Sequence, residues 1–259
     1  MRKHWLAVLF LLGAACLPAS ALAIDWTVGA GVAVVPDYQG SEDHKVRPYW
    51  LVRARDLYDP NTYLTIRGPN LKSNLLPHKN FRLGFSSQYI RKRGDVDNDQ
   101  VDAMKNTNNG YLVGLVLGYD FRLENKSIVG FELDSRWDVE DDIGGLFTLR
   151  AHYRTRLGGP WGLRTSVEST YASKDFMSEY FDVSAEDAGR SGLDTFSADD
   201  GIKDVSLNVG LIYRFNKNWS SAGSLRYTRL LNDAADSPVV DDAGDPNQLG
   251  AALVVNYRF

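Results

Sequence analysis

The sequence predicts an all-β protein, a transmembrane, antiparallel, up-and-down β-barrel. Three observations predict it. Apolar and polar residues alternate with the period of two that strands require, in successive segments close to the ~10 residues of a tilted membrane strand. Tight and long connections follow one another, as in barrels with short periplasmic turns and long external loops. The chain ends on Phe259 after an unbroken alternation from Gln248.

The first 23 residues have the pattern of a secretory signal peptide. Two basic residues precede a short apolar run, and Ala21-Leu22-Ala23 matches an A-x-A cleavage site. Cys16 is the only cysteine, and a lipoprotein signal is the alternative. That alternative is less favoured, because Gly13 stands three residues before Cys16, where a lipoprotein signal has a branched apolar residue. We therefore expect residues 1–23 to be removed and residues 24–259 to form a single outer-membrane barrel domain without a disulfide.

The charge and hydropathy of the mature chain narrow its class. It carries 27 basic and 33 acidic residues, because the first 23 residues hold two of the 29 basic ones and none of the acids. This excess of acid argues against a nucleic-acid partner. The sequence contains no run of the ~18 apolar residues that a membrane helix needs.

Ten segments show one apolar and one polar face. The first five, with the residues of their apolar faces, are 25–34 (Trp26, Val28, Val32), 45–55 (Val46, Trp50, Val52), 81–89 (Phe81, Leu83, Phe85), 110–121 (Tyr111, Val113, Leu115) and 129–138 (Val129, Phe131, Leu133). The other five are 147–154 (Phe147, Leu149, Tyr153), 161–171 (Trp161, Leu163, Val167), 204–215 (Val205, Leu207, Leu211), 219–227 (Trp219, Leu225, Tyr227) and 248–259 (Leu249, Leu253, Tyr257). Each is predicted to be a strand.

A β-sandwich would also have strands with one polar face. Three details favour the barrel. The polar faces carry successive charges, as in Arg150-x-His152-x-Arg154, and the apolar faces end in aromatic residues near the turns, like interfacial girdles. The connections are tight at 123–126, 158–160 and 216–218, and long at 94–109, 173–201 and 232–247.

Two features of the N-terminal third concern the strands, and the second of them decides the strand count. Pro48 lies inside the second segment, so a local bulge or bend is expected there. Strand parity requires an even number of crossings between residues 57 and 77. Segments 58–67 and 71–76, joined across Gly68-Pro69-Asn70, meet this as a hairpin. Twelve strands are predicted, with ten as the alternative if this stretch is a plain loop.

The polar faces together define a candidate lumen rich in charge. Its candidate residues are Arg47, Arg53, Arg82, Glu132, Asp134, Arg136, Arg150, His152, Arg154, Arg164, Glu168, Arg214 and Arg226. One interpretation is structural, with mixed arginines and carboxylates filling a small barrel as a hydrogen-bonded network. The other is a narrow water path that prefers anions.

Other candidate residues lie in the loops and at the C-terminus. Tyr180 and Phe181 are aromatic residues in a polar loop, and we expect them to fold inward as a lid. Tyr257 and Phe259 are the candidate assembly signal in the closing strand. The acidic pattern Asp95-x-Asp97-x-Asp99 lacks the glycine and glutamate of a calcium loop, so no metal site is predicted.

No enzyme or cofactor site is predicted. Barrel hydrolases need a histidine paired with a serine or an acid near the rim. The mature chain has three histidines. His152 lies on the lumen face, away from lipid, and His44 lies beside Ser41 in a loop of ordinary polar composition.

Several phrases, in their order and spacing, resemble the MipA/OmpV family of outer-membrane proteins. They are Gly29-Ala30-Gly31-Val32, Pro36-Asp37-Tyr38-Gln39-Gly40-Ser41, Val46-Arg47-Pro48-Tyr49, Tyr180-Phe181-Asp182-Val183-Ser184, Ser191-Gly192-Leu193, Ser237-Pro238-Val239-Val240 and Tyr257-Arg258-Phe259. The resemblance spans essentially the whole mature chain. It implies a location in the outer membrane of a Gram-negative bacterium.

The resemblance also implies partners. The family name refers to an interaction with a lytic transglycosylase, and a scaffold that joins this enzyme to a penicillin-binding murein synthase is expected. Other members resemble porins, which leaves a channel or uptake porin with an arginine-rich lumen as the alternative. Membrane lipids and lipopolysaccharide would surround the barrel, and the barrel-assembly machinery would bind its C-terminal strand. No catalytic residues carry over.

Overall fold

The computed structural model describes residues 24–259, so the predicted signal peptide lies outside the described residues. These residues form a closed, all-antiparallel barrel of twelve strands. The strands are β1 (Asp25–Pro36), β2 (His44–Arg55), β3 (Tyr63–Arg67), β4 (Asn70–Asn74), β5 (Phe81–Ile90), β6 (Gly110–Arg122), β7 (Ile128–Asp138), β8 (Gly145–Gly158), β9 (Trp161–Ala172), β10 (Gly201–Arg214), β11 (Trp219–Leu230) and β12 (Asn247–Arg258). The predicted fold class and the count of twelve are confirmed.

Each strand pairs with its neighbours in the chain, and β12 closes the barrel on β1. Val28 lies opposite Tyr257 and Val34 lies opposite Ala251 in this closing pair. The tight turns lie together at one end, which is the periplasmic end by the barrel rule. There, consecutive Gly158 and Gly159 adopt φ of 110° and 50°, a conformation that suits glycine.

The outward faces are apolar, as the alternation predicts. Leu115 and Leu253 keep 66% and 57% of their surface exposed, as lipid-facing side chains do. Aromatic rings gather near the periplasmic ends, where Trp161 packs on Tyr213 at 4.8 Å between ring centroids. A second group lies near the extracellular ends and includes Trp137 against Phe147, at 5.5 Å. The two groups have the positions of interfacial girdles.

Of the bulge or bend expected at Pro48, the bulge does not occur. The β1–β2 register runs without a shift from Asp25↔Arg55 to Pro36↔His44, and Pro48 lies opposite Val32 within it. The physical reason is that β3 pairs only with Leu51–Arg55, so nothing on that side of β2 needs a donor from residue 48. Proline is tolerated on such an edge.

The long external loops are folded rather than extended. They contain the helices α1 (Asp99–Asp102), α2 (Lys174–Phe181), α3 (Ala185–Ser191), α4 (Asp233–Asp236) and α5 (Pro238–Asp241). The Ser173 hydroxyl caps α2 and the Ser184 hydroxyl caps α3 by accepting from backbone N–H groups. None of the helices within residues 24–259 is long and apolar enough to cross a membrane.

Candidate functional site

The candidate site is the barrel lumen, which is built by the inward-facing residues of nearly every strand. The buried carboxylates within it include Asp120, Glu132, Asp134 and Glu168. Each residue is at most 5% exposed. Buried carboxylates are costly unless they are paired and hydrogen-bonded, so their partners decide what this space can do.

Glu132, on β7, is the first centre of the network. It pairs with Lys72 on β4, with Arg82 Nη1 on β5 at 3.3 Å and with Arg150 Nη1 on β8 at 2.5 Å. Arg150 lies directly opposite Glu132 in the β7–β8 register, whereas Lys72 reaches it from three strands away. The charge of one carboxylate thus holds together three cations from both sides of β7.

Glu168, on β9, continues the network along the inner wall of the barrel. It accepts from Arg150 Nε at 2.7 Å, Asn208 Nδ2 at 3.1 Å and Ser166 Oγ at 3.1 Å. Arg226 Nη1 on β11 lies 3.3 Å from its other oxygen. The chain of contacts Lys72–Glu132–Arg150–Glu168–Arg226 therefore runs from β4 to β11 through charge-assisted hydrogen bonds.

Two smaller clusters complete the ion-paired region. Asp120 contacts Arg82 Nη2 at 3.0 Å, Arg154 Nη2 at 2.7 Å and His152 Nε2 at 3.1 Å. His152 is therefore a partner of an acid, although the sequence placed it between arginines. Asp134 accepts from Ser86 Oγ at 2.6 Å and lies 3.2 Å from Arg136 Nε, and Arg136 also donates to Gln88.

A group of arginines in the periplasmic half of the lumen is not part of this network. Arg53 lies near the periplasmic end of β2, Arg164 near that of β9, and Arg214 ends β10. Within residues 24–259, none of the three has a carboxylate oxygen within salt-bridge distance; Arg53 Nε donates to Thr65 Oγ1 at 3.3 Å. The charges that act most strongly on Arg164 are Arg53, Arg67, Arg154 and Arg214. These five guanidinium groups form the unpaired arginine cluster, in which only Arg154 has an acidic partner.

Arg47 lies apart from the other lumen candidates. It is on the inner face of β2 near the extracellular end, and its Nη2 lies 3.7 Å from Asp37 in the β1–β2 loop. Sequence reasoning missed Lys72, Asp120 and Arg67 as lumen charges. Lys72 and Arg67 belong to the predicted hairpin, for which a plain loop was the alternative. The alternation of Tyr63, Thr65 and Arg67 would have placed Arg67 inward.

The extracellular end holds a second structure, which we call the cap. Phe176, Met177, Tyr180 and Phe181 of α2 pack with Leu112, Leu146, Ala172 and Leu230 of four different strands, together with Ala234 and Val240 of the last loop. Phe181 is fully buried and Tyr180 is 4% exposed. Contact with β6, β8, β9 and β11 places α2 across the barrel mouth.

Polar contacts join the cap to the other loops. Arg93 Nη1 donates to the Tyr180 carbonyl at 2.8 Å, and Ser237 Oγ donates to the Phe181 carbonyl at 2.6 Å. Tyr38 donates to the Ala243 carbonyl at 2.8 Å, and burial raises the pKa of its phenol to about 12. Five external loops are thereby connected into one unit, since Ile143 of the β7–β8 loop belongs to the same apolar cluster as α2.

Charged residues of the cap are also anchored. The pKa of Asp187 falls to about 2, against the opposing effect of burial, because it accepts from the Lys105 N–H, the Ser184 hydroxyl and Arg190. Among residues 24–259, no group of histidine, aspartate and glutamate side chains is arranged to hold a metal ion.

The C-terminal residues lie at the periplasmic rim. The Phe259 N–H donates to the Trp26 carbonyl at 3.0 Å, and the Phe259 ring packs edge-on against Tyr257 at 5.0 Å. Phe259 remains 72% exposed on the outer face. An assembly role for these two rings stays a prediction.

A lipid-facing apolar surface, two aromatic girdles and a charged lumen define an outer-membrane β-barrel protein. The family model described as MltA-interacting protein MipA matches residues 28–259, and the chain belongs to this family. It is located in the outer membrane of a Gram-negative bacterium. The predicted family and location are confirmed.

Individual relatives match over shorter stretches. The MltA-interacting protein of Escherichia coli strain K12 is 39% identical over 104 residues, which are 40% of this chain and 42% of the relative. Outer membrane protein OmpV of Vibrio cholerae serotype O1 is 35% identical over 92 residues, 35% of this chain and 33% of OmpV. These alignments span less than half of each relative.

Solved structures resemble the chain in fold only. The NanC porin has a TM-score of 0.48 at 7% identity, with 90% of this chain and 100% of the porin covered. An anion-selective porin from Comamonas acidovorans has a TM-score of 0.42 at 10% identity, with 91% and 98% covered.

Proposed function

We propose that this protein is a closed outer-membrane platform that binds a murein-cleaving enzyme at its periplasmic face. The observation that carries the proposal is the contact chain from Lys72 to Arg226, which follows the inner wall from β4 to β11 and pairs its carboxylates, beneath the cap over the barrel mouth. A lumen fixed in this way, under a cap with an apolar core, suits a rigid support better than an open pore. The name MltA-interacting protein, which belongs to the Escherichia coli relative, supports an enzyme partner of this type.

The binding surface has to be found on a rim with little area. Stable interfaces bury about 800 Å² per partner, and tight two- to five-residue turns offer little of that. The two wider periplasmic connections are 56–62 and 75–80. They are joined because Asn74 Nδ2 donates to the Asn61 carbonyl at 2.7 Å and Tyr58 donates to the Leu75 carbonyl. We propose this paired surface as the docking patch.

Tyr58 and Leu75 would be the anchors of this patch. They are 48% and 40% exposed, in turns that also contain the less exposed Leu57 and Leu76. Tyrosine is enriched among the residues that dominate interface energies. An exposed aromatic ring next to an exposed leucine gives this patch an apolar contact area to offer a partner.

Replacing Tyr58 by Ala should weaken binding of the transglycosylase MltA by about tenfold or more, because an interface anchor contributes about 1–2 kcal/mol or more. The full chain in detergent would be titrated with the purified enzyme by calorimetry. Val139→Ala is the control, since Val139 is an apolar residue at the extracellular end that is even more exposed, at 69%. Equal affinities of wild type and both variants would sink this patch, and no binding by wild type would sink the platform.

A second function, an anion channel opened by movement of the cap, is favoured by one observation. The unpaired arginine cluster lines the periplasmic half of the lumen with several positive charges and a single acidic partner. Rings of arginine or lysine are the usual basis of anion preference in pores.

A further inference from the structure

The barrel wall is incomplete between β2 and β5. The intervening strands β3 and β4 have five residues each, against twelve in β2 and ten in β5. β3 pairs only with Leu51–Arg55, so β2 continues from Trp50 up to His44 without a partner on that side. This is on the order of 20 Å of strand. On the other side, β5 ends at Ile90, one residue beyond its contact with the hairpin tip, so the gap is bordered there by the segment that follows β5.

Two prolines explain why the hairpin stops where it does. At its tip, the Gly68 N–H donates to the Trp50 carbonyl at 2.9 Å and the Tyr89 N–H donates to the Pro69 carbonyl at 3.0 Å. Pro69 has no N–H to extend the pairing with β5, and Pro48 has none to offer a longer β3. The gap above the tip is therefore encoded in the sequence.

Backbone polar groups are left facing the gap. In an antiparallel ladder, the backbone N–H and C=O groups of alternate residues point to the same side of the strand. The Trp50 carbonyl points toward Gly68, so the backbone groups of Val46 and Pro48 point to that side as well. Within residues 24–259, no strand pairs with this side of β2 beyond Leu51, so the Val46 N–H, the Val46 carbonyl and the Pro48 carbonyl have no strand partner. Such groups are costly against hydrocarbon, so water or a polar ligand has to meet them.

The gap lies at the level of the outer-leaflet headgroups. Tyr89, which bonds to the hairpin tip, packs on Tyr111 at 5.0 Å, and this pair belongs to the extracellular girdle. Val46 and Trp50, on the outer face of β2 beside the gap, are 70% and 46% exposed. The gap thus has an apolar rim below and a headgroup environment above.

Basic residues surround the gap. Arg47 lies on the inner face of β2, Arg67 ends β3, and the exposed Arg91 and Lys92 directly follow β5. The segment after β5 is tied back to β2, because Lys45 Nζ lies 2.8 Å from Asp37, 3.3 Å from Asp97 and 3.3 Å from the Asp95 carbonyl. Lys45 and Arg47 therefore share these carboxylates, whereas Arg91 and Lys92 have no carboxylate within salt-bridge distance among residues 24–259.

We propose that the gap between β2 and β5 is a lateral binding site for an outer-leaflet lipid with a phosphate headgroup. The acyl chains would lie along Val46 and Trp50, and the phosphate would reach Arg47 and Lys92 and face the unpaired N–H of Val46. The apolar rim favours a lipid over free phosphate. An added peptide strand fits poorly, because Pro48 removes a donor in the middle of the unpaired edge that β-strand addition needs.

The site can be tested by native mass spectrometry of the full chain in detergent, with phosphatidylglycerol as the probe and phosphatidylcholine as the neutral comparison. Wild type should retain one phosphatidylglycerol, and the double variant Arg47→Gln/Lys92→Gln should bind it about tenfold more weakly. The matched control is Lys126→Gln/Lys217→Gln, which removes the same charge from exposed residues of the periplasmic turns. Its affinity should equal that of wild type.

Equal losses in the two double variants would overturn the site, because they would reflect net charge alone. Displacement of the lipid by millimolar inorganic phosphate would mean that Arg47 binds free anions, and it would overturn the proposal that a lipid occupies the site. A second measurement tests the gap itself, in case a variant fails to fold. In the lipid-free protein, the Val46 amide should exchange with deuterium much faster than the Val52 amide, which pairs with β3. A protected Val46 amide would mean that the wall is closed.

Discussion

Replacing Glu132 by Gln is expected to lower the free energy of unfolding by about 3 kcal/mol, since removing one partner of a buried ion-paired group leaves the others uncompensated. Here the uncompensated groups are Lys72, Arg82 and Arg150, which come from three strands. The loss should therefore appear as destabilisation of the whole barrel rather than of one hairpin. Urea unfolding in lipid vesicles, followed by tryptophan fluorescence, measures it.

Glu186→Gln is the matched control for this prediction. Glu186 pairs with Arg190 at 3.5 Å, but its side chain is 81% exposed on α3. Exposed pairs contribute between zero and about 1 kcal/mol, so this variant should unfold like wild type. If Glu132→Gln also unfolded within about 0.5 kcal/mol of wild type, the lumen network would not be a structural element.

Breaking the cap is expected to turn a silent barrel into a conducting one. Phe181, the last residue of α2, is fully buried against the last loop. An aspartate there would place an unpaired charge in the apolar cluster. Phe181→Asp should therefore give stepwise currents in a planar bilayer. Because the unpaired arginine cluster would then line the open path, these currents should be carried mainly by anions.

Two further variants make the channel prediction specific. Asp175→Asn changes an exposed residue of the same helix and should remain silent. Adding Arg53→Gln and Arg164→Gln to Phe181→Asp should keep the current and reduce its anion preference several-fold. Silence of Phe181→Asp would contradict a gating role for the cap, and currents without ion preference would contradict a role for the arginines.

Much of the fold is readable from the sequence, because the alternation of apolar and polar residues fixes which face of each strand meets lipid. The register then makes some lumen pairs predictable, as with Glu132 opposite Arg150. The approach of Lys72 to Glu132 is not, since it depends on how far two side chains reach across intervening strands. The same holds for the lack of an acid near Arg164, which follows from the placement of β9 across from β2.

The cap shows where sequence reasoning fell short. Tyr180 and Phe181 stand out as aromatic residues in a polar loop, but the capping serine at Ser173 and the spacing of Phe176, Met177, Tyr180 and Phe181 also indicate an amphipathic helix. What this helix packs against could not be inferred, because its partners come from four strands that are far apart in the chain. The absence of a bulge at Pro48 could not be predicted for a related reason, since a regular strand tolerates proline there only because β3 is too short to pair with it.

The measurement that tests the account most directly is the single-channel conductance of the refolded wild-type protein in a planar bilayer. An apolar cap over the barrel mouth, above a lumen whose inner wall is fixed by ion pairs from β4 to β11, predicts no current at moderate voltage. Steady, anion-preferring current steps from the unmodified protein would contradict a closed platform and would make the arginine-lined lumen its working part.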